Sequence, residues 1–69
     1  MDSPAARAAD CAEVGQLFLD IKQETRGLYW LYEALERDPD QQQAHRALAA
    51  YYQSKGNADK AAIHRRQVR

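Results

Sequence analysis

Val14, Leu17, Phe18 and Ile21 are apolar at positions i, i+3, i+4 and i+7, the spacing that lines side chains along one face of a helix. The pattern predicts a first helix over 8–21 with this stripe turned inward. Leu28, Leu31, Tyr32 and Leu35 repeat the spacing. Pro39 must close that second helix, because it biases Asp38 away from helical geometry, so the helix is expected over 25–37. Ala44, Ala47, Leu48, Tyr51 and Tyr52 form a third stripe. It ends where Lys55, Gly56 and Asn57 offer a cation and then a glycine able to take positive φ, which predicts a third helix over 41–54. A last helix, capped by Asn57 or Asp59, carries Ala61, Ala62, Ile63 and, near its end, Val68. No stretch alternates apolar and polar residues as a strand would, so the chain reads as all-α with four helices.

Displacing the sequence by 34 positions against itself puts Val14 on Leu48, Gly15 on Ala49, Leu17 on Tyr51, Phe18 on Tyr52, Gly27 on Ala61 and Ala34 on Val68. Small falls on small and large on large, the mark of an internal repeat. Pro39 then closes one helical hairpin and Gln41 opens a second copy of it. Gly15, Gly27, Ala49 and Ala61 are expected where the two helices of each hairpin cross closely. Val14, Phe18, Leu31, Leu48 and Tyr52 are expected to fill the space around those crossings.

These residues resemble the tetratricopeptide repeat family, whose unit is a 34-residue pair of antiparallel helices. The matching positions are Cys11-x2-Val14-Gly15-x2-Phe18, Gly27-x3-Leu31 and Pro39, then His45-x2-Leu48-Ala49-x2-Tyr52 and Ala61-x3-Arg65. Cys11 and His45 depart from the large side chain usual at their place, and Arg65 from a bulky aromatic, although its aliphatic stem can cover apolar surface. The resemblance implies a right-handed superhelical stack of hairpins, an α-solenoid. Residues 1–7 are then an N-terminal extension, 8–41 the first hairpin and 42–69 a second hairpin without a following capping helix.

Composition narrows the function classes. A chain of 69 residues can bury only a limited core, and its ten acids balance ten Lys and Arg. The balance is uneven along the chain: 1–40 carries nine acids against four bases, net −5, and 41–69 one acid against six bases, net +5. No apolar run is long enough to span a bilayer. No signal peptide is visible in 1–10, and a lone cysteine, Cys11, excludes an internal disulfide, which together favour a cytoplasmic location.

Candidate chemistry is sparse. Thiolate catalysis needs an imidazole within hydrogen-bond reach. Cys11 and His45 hold equivalent places in successive hairpins, about 10 Å apart by helix-packing distances, and should not meet. One Cys and two spaced His do not make a zinc site, and no phosphate-binding loop or paired-carboxylate motif is present. The expectation is no enzyme, no cofactor and no metal.

Interaction surfaces are the remaining candidates. By the resemblance, a concave groove is lined by Ala9, Ala12, Gln16, Leu19 and Asp20 from the first hairpin, and by Gln43, Arg46, Ala50, Gln53 and Ser54 from the second. Ala12, Gln16 and Ala47 stand where some family members carry a carboxylate-binding clamp, so that activity is not expected. Arg46 is a possible anchor for an acidic or amide group. Tyr29, Trp30 and Tyr32 cannot all face one core, so Tyr29 or Trp30 should be exposed. With Ala62, Ile63 and Val68 they form a candidate self-association surface, a homodimer being favoured. The basic ending His64, Arg65, Arg66 and Arg69 raises nucleic-acid binding as the alternative, weakened by the zero net charge and by the lack of stacking aromatics nearby. A non-catalytic scaffold for a protein or peptide partner is the reading carried forward.

Overall fold

The structure, a computed structural model, describes residues 4–69, with side chains from Arg7 onward. It contains four helices, α1 (Pro4–Asp20), α2 (Glu24–Arg37), α3 (Gln42–Ser54) and α4 (Ala58–Gln67), and no strand among the described residues. Helix α1 starts ahead of the expected 8–21 span, so 4–7 are helical; 1–3 lie outside the described residues. Pro4 suits that first turn, where its missing N–H would have no helical partner. Gln41, expected as the first residue of α3, is instead its N-cap: its side-chain oxygen accepts from the Ala44 N–H at 2.7 Å. Asn57 caps α4 in the same way through Lys60.

The 34-residue repeat reappears in the turns. After α1, the Gln23 N–H bonds the Phe18 carbonyl and the Lys22 N–H bonds that of Leu19. After α3, Asn57 bonds Tyr52 and Gly56 bonds Gln53 in the same two-bond closure. This closure needs one residue in the left-handed region, and the two are Lys22 and Gly56, 34 positions apart. Each turn reverses the chain. Gly15 meets Leu31 while Gly27 meets Leu19, so α1 and α2 run antiparallel. Gln42 likewise bonds the carbonyl of Gln67 while His45 meets His64, so α3 and α4 do too.

Packing follows from small residues. A Cβ on Gly15 would lie 2.9 Å from the Gly27 carbonyl oxygen, and one on Gly27 would lie 3.0 Å from that of Gly15. The glycines therefore let the two backbones touch, as the repeat predicts. Ala49 and Ala61, at the equivalent places, are buried. Helix α3 is central: it packs on α1, α2 and α4, whereas the backbone of α4 comes close to α3 alone. Leu31 and Leu48 are the largest fully enclosed side chains, within a cluster that includes Cys11, Ala12, Ala34, Ala44, Ala47 and Tyr52.

One expected core stripe is overturned. Leu17 and Ile21 are 59% and 65% exposed, with Val14 and Phe18 only half-buried. The inward face of α1 is instead Ala8, Cys11, Ala12, Gly15 and half-buried Leu19. At about 100° per residue this second stripe lies roughly 120° around the helix from the first. Close contact with α2 through Gly15 selects the face with small residues and leaves the larger aliphatic face outside. Tyr32, also expected inside, is 41% exposed, although its hydroxyl reaches that of Tyr52 at 2.5 Å.

Candidate functional site

A cleft of about 220 Å³ opens between α1, the start of α2, and α3. Gln16, Leu19, Ala50 and Ser54, four of the groove residues implied by the resemblance, line it. Three further lining residues were not read from the sequence: Lys22, Glu24 and Tyr51. Glu24 and Tyr51 share a polar junction with Lys55. Lys55 pairs with Glu24 at 2.7 Å, and the Tyr51 hydroxyl donates to the other Glu24 oxygen at 3.1 Å, tying the first hairpin to the second. The hydrogen bonds from Lys55 and then Tyr51 lower the Glu24 pKa, and the bond to Glu24 raises that of Lys55. Burial, followed by the same carboxylate, raises that of the Tyr51 phenol.

The other expected groove positions lie elsewhere. Ala12 is fully buried in the core, where its small side chain sits in the central cluster, and so offers nothing to a ligand. Ala9, Gln43 and Arg46 are exposed but do not line the cleft. Asp20 is exposed and accepts from Gln16 at 3.0 Å. Gln53 faces the opposite side, where it bonds Arg65 in a second cleft beside Gly56, Ala58 and Ala61.

An apolar surface lies on α1. Val14, Leu17, Phe18 and Ile21 enclose a concavity of about 260 Å³, with Asp20 at its edge. The repeat explains its character. Leu48 and Tyr52, the counterparts of Val14 and Phe18, are buried, and Tyr51, the counterpart of Leu17, is half-buried, because the first hairpin packs on α3. On α1 the same positions face outward among the described residues. The signal was present in the sequence as an apolar stripe, but periodicity alone assigns such a stripe to the core.

The proposed self-association residues are dispersed. Tyr29 is 61% exposed with its ring edge-on to Trp30 at 5.4 Å, while Trp30 is half-buried against the core. Ile63, 34 residues after Tyr29, is 57% exposed; Ala62 and Val68 are half-buried. In the basic ending, Arg69 pairs with Asp40 and Arg65 bonds Gln53.

His45 is buried, and both its ring nitrogens are engaged: Nε2 by the Pro39 carbonyl at 2.7 Å and Nδ1 by His64 Nδ1 at 3.2 Å. Neither is directed at the buried Cys11 thiol. Among the described residues no three His, Cys, Asp or Glu side chains converge, and no helix is long and apolar enough to cross a membrane.

No family model, curated protein or solved structure matches this chain.

Proposed function

We propose that this protein is a non-catalytic interaction module of the tetratricopeptide type, its two hairpins forming a short solenoid that docks a helical protein surface. The observation that carries this reading is the outward face of Val14, Leu17, Phe18 and Ile21, where the counterparts of the first three on α3, Leu48, Tyr51 and Tyr52, are buried or half-buried in the fold. A side chain set that is packed by a hairpin in one repeat has the shape to be packed by one in the other. Exposed apolar patches ringed by polar residues mark interaction surfaces. Asp10, Glu13 and Asp20 flank this one.

Charge favours a second copy as the occupant. The acidic first half, net −5, complements the basic second half, net +5, so one copy's α3–α4 hairpin can precede another's α1 in the way α1–α2 precedes α3. This geometry replaces the symmetric contact through Ile63 and Val68, because the broader apolar surface lies on α1. Nucleic acid is the weaker reading, since Arg65 and Arg69 are already engaged within the chain.

Sedimentation over a concentration series tests this directly. Association at tens to hundreds of micromolar, weakened by salt and abolished by Leu17→Glu, is the expected result. A monomer throughout, with the same sedimentation for wild type and variant, sinks the self-docking reading.

A further inference from the structure

The His45–His64 pair lies away from the apolar face of α1, and its hydrogen bonds restrict how many protons it can hold. The Pro39 carbonyl can only accept, so His45 Nε2 carries a hydrogen and Nδ1 of the neutral ring is bare. The hydrogen between the two Nδ1 atoms, 3.2 Å apart, must then come from His64. One added proton fits on His64 Nε2 and leaves that bond intact. A second has only His45 Nδ1 to occupy, where two N–H groups would face each other on two cationic rings. The hydrogen bond would become a repulsion.

The surroundings give no relief. Tyr52 of α3 stacks on His64 at 5.9 Å and 8°, and Tyr32 of α2 lies edge-on at 6.3 Å. From α4, the Lys60 ammonium stands 5.2 Å from the Tyr52 ring, adding positive charge nearby. In the turn beside Pro39, Asp38 accepts from the Asp40 N–H and Asp40 pairs with Arg69. Among the described residues no carboxylate bonds either imidazole. Burial, and then His45, lowers the His64 pKa.

Mechanically the pair sits where α4 is held. The backbone of that helix approaches α3 alone, with Tyr32 of α2 reaching His64 by its ring, and Ala61 is its one buried residue. We propose that the His45–His64 pair makes α4 a proton-released latch: the closed hairpin admits one proton, and the second detaches α4 and uncovers the Tyr52 face of α3. The unfolded segment takes up both protons near the ordinary histidine value of about 6.5, so acid pulls the equilibrium toward the open form. Because the α3–α4 hairpin is also what the proposed self-docking presents to a second copy, release is read on the dilute monomer.

Nitrogen-15 NMR of the imidazoles and amides over pH 8 to 4.5 tests this. At pH 8, His45 should show the Nε2–H tautomer and His64 the Nδ1–H tautomer. On acidification one ring should charge with the α4 amides still dispersed. Uptake by the other should coincide with collapse of the Ala61–Gln67 signals while those of Gly15 and Leu31 persist. His64→Gln supplies an amide oxygen that accepts from charged His45, and should move α4 release at least one pH unit lower. Independent titration of both rings with α4 in place overturns the proposal, as does α4 loss at the same pH in wild type and variant. If His64→Gln does not fold at pH 8, the order of events in the wild-type protein decides alone.

Discussion

Lys22 and Gly56 stand 34 residues apart and make the same left-handed turn, with φ of 67° and 77°. Only the glycine takes that conformation without a steric cost from its side chain. Lys22→Gly should therefore stabilise the protein by about 0.5–1 kcal/mol, the difference between left-handed strain and added chain entropy. Gly56→Ala should destabilise it by about 1 kcal/mol, although nothing lies within 4 Å of the added Cβ. Urea denaturation of both variants reads the two signs.

Gly27→Ala probes the α1–α2 crossing. In an open helix the change gains up to about 1 kcal/mol from propensity. Here the new Cβ would meet Leu19 at 2.7 Å and the Gly15 carbonyl oxygen at 3.0 Å. The leucine can turn aside but the carbonyl belongs to a helix. A net loss of about 1–3 kcal/mol is expected, as for overpacked cores, with a lower midpoint in thermal melts. Unchanged melting would mean that the helices do not cross at these glycines.

Val14 and Leu48 occupy equivalent positions, the first half-buried and the second fully enclosed. Leu48→Ala should cost about 2–5 kcal/mol through the cavity it leaves. Leu17→Glu, on the exposed face beside Val14, should change monomer stability by no more than about 0.5 kcal/mol. Chemical denaturation at low protein concentration separates the two, and a large loss for Leu17→Glu would place that stripe inside the fold.

The Glu24–Lys55–Tyr51 junction makes a pH-dependent tie between the hairpins. Glu24 has a folded pKa below its ordinary value of 4.5, so its contribution is present above that value and is lost as pH falls through the lower one. Lys55 is shifted upward from 10.5, so its contribution persists below that pH and is lost in stronger base. Glu24→Gln should therefore flatten the acid limb of the stability profile below pH 4.5 without altering it near neutrality by more than the removed ion pair. An unchanged acid limb would show that the junction is not formed.

Much of this architecture was legible because it rests on local rules. Pro39 ends α2, Gly56 ends α3, and the 34-residue match of small with small residues located the Gly15–Gly27 crossing. Such features depend on backbone conformation and on size, both carried by residue type. The groove residues were legible only in part. Gln16 and Ser54 line the cleft; Gln53 lines another, because a shift of one residue rotates a side chain about 100° around its helix, and Ala12 is enclosed where α1 meets the central cluster.

Sequence by itself determined that four helices form, where they turn, and that the second pair repeats the first. Tertiary structure alone decided which of two apolar faces of α1 would be buried. Both Ala12–Gly15–Leu19 and Val14–Leu17–Ile21 follow helical spacing, and only the contact of two backbones through Gly15 and Gly27 selects between them. Tertiary structure likewise decided that His45 meets His64. Periodicity records which side chains share a face, whereas the partner across that face depends on how close a second helix can come, and here two glycines set that distance.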